Sequence, residues 1–191
     1  MKILLISGSL RKNSFNTQLM MMAQKALDGL AQTKVLDWSH VPFFNQDEEI
    51  PAHSEVAQCR EQFLWADGVW FFTPEYNQMV PGPLKNLLDW MSRPLDPAAG
   101  RTSALTGRYA AISGAAGRSK AAFSRDQLEK LLKFCQMNVY SQQVGVGVTP
   151  SEMKSDAFED PTAIQNDMDA QAKGFVAWIK EQKAKSENNP L

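Results

Sequence analysis

Cysteine is scarce in this 191-residue chain: Cys59 and Cys135 stand far apart and in no CxxC pattern. An iron–sulfur cluster or other metal site needs clustered ligands, which this sequence does not supply, so no metal is expected. Both cysteines fall in amphipathic stretches, where a free thiol behaves as a small apolar group. An excess of one charge is lacking too, since 20 Lys and Arg face 21 Asp and Glu for a net charge of -1. A nucleic-acid binder needs a basic face to displace counterions, and that class is set aside. Long apolar runs are absent as well. Ile3 to Ile6 and Val69 to Phe72 are far too short to span a bilayer, so no membrane partner is expected. The start of the chain reads as a strand running into a polar loop, without a signal-peptide cleavage pattern, which makes the expected location cytoplasmic. Neither GxxxxGK[ST] nor GxGxxG occurs, which argues against a nucleoside triphosphate and weakens a dinucleotide reading. The two histidines, His40 and His53, sit in or beside polar loops with no paired acid or nucleophile, and no acid–base role is assigned to them.

What is present is an ordinary globular composition, 43% apolar and 21% charged. The length suits one domain over residues 1–191, with a polar tail after about 184. Apolar runs alternate with helical periods from the start, the mark of βα units around a parallel sheet. Strands are predicted over Lys2 to Ser7, Thr33 to Asp37, Gly68 to Thr73, Tyr109 to Ser113 and Val139 to Val148. Helices are predicted over Asn16 to Leu30, Ser54 to Ala66, Gly82 to Met91, Arg118 to Cys135 and Thr162 to Lys183. The order fits a flavodoxin-like three-layer α/β sandwich with a five-stranded parallel sheet in the order 2-1-3-4-5. Ligands of such sheets bind beyond the carboxyl ends of the strands at the switch point, which singles out the loops after Ser7, Thr73 and Ser113.

The first loop runs Ser7-Gly8-Ser9-Leu10-Arg11-Lys12-Asn13-Ser14-Phe15-Asn16-Thr17. It leaves a buried strand and enters a helix, where unpaired N–H groups and the macrodipole attract phosphate. Ser9, Ser14, Asn16 and Thr17 add donors and Arg11 a charged fork. The alternative is a capped helix start with a solvated arginine. The second loop, Thr73-Pro74-Glu75-Tyr76-Asn77-Gln78-Met79-Val80-Pro81-Gly82, is stiffened by two prolines and suits a flat heterocycle with polar edges. On composition alone, a braced turn with an ordinary surface tyrosine explains it equally well.

Gly8-Ser9-Leu10-Arg11 with Ser14-Phe15-Asn16, then Pro74-Glu75-Tyr76-Asn77, Pro81-Gly82, Leu84-Lys85-Asn86 and Asp89-Trp90, closely resembles the NADPH-dependent FMN reductase family. That family includes bacterial quinone, chromate and azo-dye reductases. The resemblance runs along almost the whole chain. It implies that Ser9, Arg11, Ser14, Phe15, Asn16 and Thr17 surround the phosphate of flavin mononucleotide (FMN). It implies that Pro74, Glu75, Tyr76 and Asn77 line its ring and ribityl chain, with Ser113, Gly114 and Gly117 facing it from the other side. The chain departs from the family where members often carry a Gly-Gly pair and here only Gly117, followed by Arg118, remains. Met79 also stands where a small residue is common. Lys85, Asn86, Asp89 and Trp90 read as structural.

The resemblance further implies that the flavin does the chemistry and that no protein residue is catalytic. Hydride would pass from NADPH or NADH to FMN and onward to a small acceptor, such as a quinone, a free flavin, an azo dye or an oxyanion, by a ping-pong scheme. A homodimer or homotetramer is implied as well, and Trp38, Phe43, Phe44 and Trp90 are either core or parts of a neighbour's site. The rival with the same fold is a flavodoxin-type electron carrier. Arg11 and the near-neutral charge count against it.

Overall fold

The computed structural model describes residues 1–188. Six strands lie in one parallel sheet: β1 (Lys2–Ser7), β2 (Gln32–Val35), β3 (Gly68–Thr73), β4 (Tyr109–Ala116), β5 (Asn138–Val139) and β6 (Val144–Gly147). The order is β2-β1-β3-β4-β5, with β6 also paired to β4. Side chains alternate between the two faces of a strand, and both faces here are covered. Leu4, Ile6, Val69, Phe71 and Ile112 pack against α2 (Ser54–Trp65), α3 (Gly82–Met91) and α4 (Ala122–Phe134). Ile3, Leu5, Trp70, Phe72 and Ala111 pack against α1 (Phe15–Ala26) and the long α6 (Pro161–Glu187). The expected three-layer sandwich in the order 2-1-3-4-5 is therefore the fold.

Each difference from the sequence reading has a physical cause. Helix α1 stops at Ala26 rather than Leu30, because the chain turns through Gly29 at a φ of 75°. Helix α4 starts at Ala122, since Lys120 and Ala121 hold φ values of 52° and 56° that no helix accepts. Strand β4 runs three residues past Ser113, because Ser113 to Ala116 pair with Val144 to Gly147. The single last strand expected over Val139 to Val148 is two short ones. Between them Gln171 of α6 donates an amide hydrogen bond to the free Gln142 carbonyl, at 2.9 Å. A three-residue 3₁₀ turn at Gln46–Glu48 and the short α5 (Pro150–Ser155) were not foreseen. Helix α6 continues four residues past Lys183. The end of the expected polar tail, residues 189–191, lies outside the described residues.

Candidate active site

The loops that follow β1, β3 and β4 enclose a cavity of about 310 Å³. Its first wall is the turn into α1. The Gly8 N–H donates to the Phe72 carbonyl at 2.7 Å, which pins the turn to the neighbouring strand. A Cβ at Gly8 would stand 2.9 Å from Leu84 Cδ2 and 3.1 Å from the Phe72 oxygen, so the close approach needs glycine. Ser14 caps the helix by accepting from the Asn16 N–H. The N–H groups of Phe15 and Thr17 find no acceptor among the described residues. They are donors at the positive end of a helix, with the free hydroxyl protons of Ser9 and Ser14 beside them.

Asn16 stands at this wall, yet its amide is engaged elsewhere. Its Nδ2 donates to the Ala115 carbonyl at 3.0 Å, and its Oδ1 accepts from the Ala115 N–H at 2.9 Å. This reciprocal pair is buried and ties the start of α1 to the end of β4. Thr17 is set back from the cavity, its hydroxyl 2.9 Å from that of Ser7. Arg11 lines the cavity and pairs with Asp156 at 2.6 Å. Hydrogen bonds from Arg11 and then Asn13 hold the Asp156 carboxyl below its usual range.

The second wall is the proline-bracketed loop. Glu75 Oε2 accepts from the Phe123 and Ser124 N–H groups at 2.9 and 3.1 Å and so caps α4, whose own N-cap residue, Ala121, has no side chain to do it. Beneath it the buried Thr73 and Ser124 hydroxyls meet at 2.7 Å. Tyr76 and Met79 exchange backbone hydrogen bonds across a two-residue turn. Asn77 and Gln78 form that turn with φ values of 53° and 61°, as in a type I′ turn. The N–H groups of Glu75 and Asn77 have no acceptor among the described residues. Pro74, Glu75 and Tyr76 line the cavity, whereas Asn77 shapes the rim beside it.

The third wall is Ala115, Ala116 and Gly117, joined by Val148 and Met153. Ser113 and Gly114 lie inside the strand and do not line the cavity. Ser113 accepts from Trp70 Nε1 at 2.9 Å and donates to Gln171 at 2.7 Å. A Cβ at Gly114 would be 2.6 Å from the Thr73 carbonyl oxygen. Both residues therefore set the spacing of β3, β4 and the layers around them.

Val148, Met153 and Asp156 were missed in the sequence. A signal for their helix existed: Thr149-Pro150-Ser151-Glu152 is a capping box with proline at N1, and both of its reciprocal bonds form. Nothing local says that this helix returns to the first loop.

The other candidates divide cleanly. Trp38 and Trp90 are buried. Asn86 and Trp90 both donate to the Pro42 carbonyl, and Asn86 accepts from the Phe44 N–H. Asp89 takes its hydrogen bonds from Lys85 rather than from a backbone amide. Phe44 packs edge-on to Trp90, while Phe43 is left 88% exposed. His53 pairs with Glu48, and neither histidine lines the cavity. Burial pushes the Cys59 thiol up to about 11, so it sits in the core as an inert apolar group. No cluster able to hold a metal ion occurs among the described residues.

The cavity thus offers anion donors at one end, amide donors and an aromatic ring at the other, and small apolar side chains between. Among the described residues neither histidine nor cysteine lines it, and its side chains carry no redox group of their own, so they suit the binding and orienting of one. FMN, a phosphate on a flexible stem attached to a flat ring, fits that division. The family described as NADPH-dependent FMN reductase matches residues 1–150. An NAD(P)H-dependent FMN reductase of Pseudomonas aeruginosa is 36% identical over 139 residues, 72% of each chain. An NADPH:quinone oxidoreductase of Arabidopsis thaliana is 38% identical over 125 residues, 62% of each. Among solved structures, the flavoenzyme NAD(P)H:(acceptor) oxidoreductase of Paracoccus denitrificans superposes with a TM-score of 0.80 at 28% identity, covering 94% of this chain and 97% of that one.

Proposed function

Since the chain belongs to the NADPH-dependent FMN reductase family and is an FMN-dependent NAD(P)H oxidoreductase, we propose that it serves small acceptors of the quinone type from one crevice in a ping-pong scheme. Bound there, FMN would supply the hydride and electron transfer between NADPH or NADH and the acceptor. The chain's own work is to bind and orient. The Phe15 N–H group, the Ser9 and Ser14 hydroxyls and Arg11 would hold the phosphate at the start of α1. Pro74, Glu75, Tyr76 and Asn77 present a rigid edge, and the free N–H groups of Glu75 and Asn77 offer donors to an electron-rich ring. Ala115 to Gly117 press from the other side with side chains small enough to leave a slot.

The observation that carries this reading is the convergence on one cavity of two loops whose nearest lining residues, Asn16 and Pro74, are 58 residues apart in sequence, with a helix start and the Arg11 cation at one end. Its rim stays open: Tyr76 is 53% and Met153 54% exposed, which lets donor and acceptor come to the same place in turn. The cytoplasmic location and a homodimer or homotetramer are part of the proposal. No helix among the described residues is long and apolar enough to cross a membrane.

The test is anaerobic. Purified protein loaded with FMN should be bleached rapidly by NADPH or NADH alone, and benzoquinone should restore the colour. Initial rates at several acceptor concentrations should give parallel double-reciprocal lines. Flavin that stays oxidised under both nucleotides until a separate reductase is added would replace this reading with a flavodoxin-type carrier.

A further inference from the structure

Two acidic residues line the cavity, and they stand at its two ends. Glu75 belongs to the ring end and caps α4. Asp156 belongs to the phosphate end, 145 residues along the chain from its partner Arg11. It follows α5 in the left-handed conformation, with a φ of 54°. Three residues of the first loop and α1 bind it. Arg11 donates to one carboxylate oxygen at 2.6 Å and Asn13 to the other at 3.4 Å, while Gln18 donates to its backbone carbonyl at 2.9 Å. The same Arg11 is the cation that the cavity offers to a phosphate. A carboxylate and a phosphate are alternative partners for one guanidinium fork.

We infer that Asp156 is a specificity-determining residue, whose negative charge competes with the cofactor phosphate for Arg11 and sets how strongly the crevice prefers FMN over riboflavin. The inference rests on the flavin reading above. Its two effects have opposite signs. The contacts to Arg11, Asn13 and Gln18 brace the loop in the shape a phosphate needs, which favours binding. The charge repels that phosphate and occupies its cation, which opposes binding. The brace is largely a matter of hydrogen bonds to oxygen, and the competition is a matter of charge, so one substitution separates them. Asp156→Asn keeps an oxygen for Arg11 at 2.6 Å and leaves the Gln18 contact to the backbone intact, giving up only the long 3.4 Å bond from Asn13. Asparagine also tolerates the left-handed conformation, so the fold of the segment is retained.

The experiment titrates wild type and Asp156→Asn with FMN and with riboflavin at low ionic strength, following the quenching of flavin fluorescence. Riboflavin affinity should be the same in both proteins, which also serves as the folding control. FMN should bind the variant about three- to fivefold more tightly, the factor that freeing a half-exposed ion-pair partner supports. Added salt should shrink that gain. FMN affinity that is unchanged or weaker while riboflavin holds would overturn the inference. So would a parallel shift in both, which would make Asp156 a loop brace alone. A wild type that takes up neither flavin would bring down the cofactor reading itself, a result distinguishable from either.

Discussion

Asn16 is where the structure changes the meaning of a motif residue, and replacing it tests the change. The motif places its amide among the phosphate donors, whereas the amide is engaged in both directions by Ala115. Asn16→Ala would remove two buried hydrogen bonds and leave the Ala115 N–H and carbonyl, at a residue only 3% exposed, without partners. Each bond contributes about 0.5–1.5 kcal/mol net, and a stranded buried group costs about 1–3 kcal/mol. The better helix propensity of alanine returns roughly 0.5 kcal/mol. Because the penalties overlap, the expected loss is about 2–4 kcal/mol of folding stability. For a chain of this length that lowers the melting temperature by roughly 5–12 °C. The assay is thermal and urea unfolding of the flavin-free protein, followed by an FMN titration at a temperature where the variant is folded. Asn16→Asp, which can still accept from the Ala115 N–H but sets a carboxylate against the carbonyl, should lose as much. A melting temperature moved by less than about 2 °C, together with a tenfold loss of FMN affinity, would refute the reasoning and return Asn16 to the phosphate.

Three further outcomes follow. Arg11→Ala should weaken FMN binding toward the lower end of about 1.5–3 kcal/mol, the range for hydrogen bonds to charged groups, because Asp156 already shares that fork; riboflavin titration is the control. Gly114→Ala should destabilise by about 1–3 kcal/mol and weaken FMN as well, since its Cβ would be driven against the Thr73 carbonyl and the Ala121 side chain, both of which carry the cavity walls; urea midpoints and flavin titration read the two effects. Asp67 supplies a pH dependence. Partial burial pushes its carboxyl up, but hydrogen bonds from Lys183 and the Lys2 N–H outweigh that and hold it below the ordinary value. Its contribution is therefore fully present above the unfolded value of about 3.9 and is lost as pH falls through the folded one. Asp67→Asn should cost stability at pH 7, and the gap to wild type should close as pH falls through the lowered folded value in urea unfolding.

The parts of the fold that were legible in the sequence are those whose signal is short in range. Gly-Val-Trp-Phe-Phe-Thr is apolar throughout because β3 is covered on both faces, and its limits were read to the residue. Helix α3 was equally plain, with Pro83 in its first turn and a hydrophobic face ending at Met91. What failed was set by partners elsewhere in the chain. β4 could not be followed past Ser113, because Gly-Ala-Ala carries no β propensity and is held extended by β6. The start of α4 was misplaced because Arg118 to Ala121 favour a helix locally, while the left-handed turn at Lys120 and Ala121 is what brings Phe123 and Ser124 under the Glu75 carboxylate.

The same division runs through the cavity. Ser9, Arg11, Ser14 and Phe15 were readable as a group because a helix start advertises its own cap and its own donors within a few residues. Tyr76 and its neighbours were readable because proline confines a loop whatever surrounds it. The third wall has no such local mark. Its residues are alanines, a glycine, a valine and a methionine, types whose role in a slot is to be small or apolar, and nothing in their identity distinguishes a slot from a core. Asp156 is the extreme case: an acidic residue after a six-residue helix reads as solvated surface until the chain's return places it against Arg11. A motif records the groups that attract a ligand, because these must be of one type and at one spacing. The groups that oppose it act through charge alone and arrive from any position the fold allows, which is why the carboxylate at the phosphate end could emerge only from the three-dimensional arrangement.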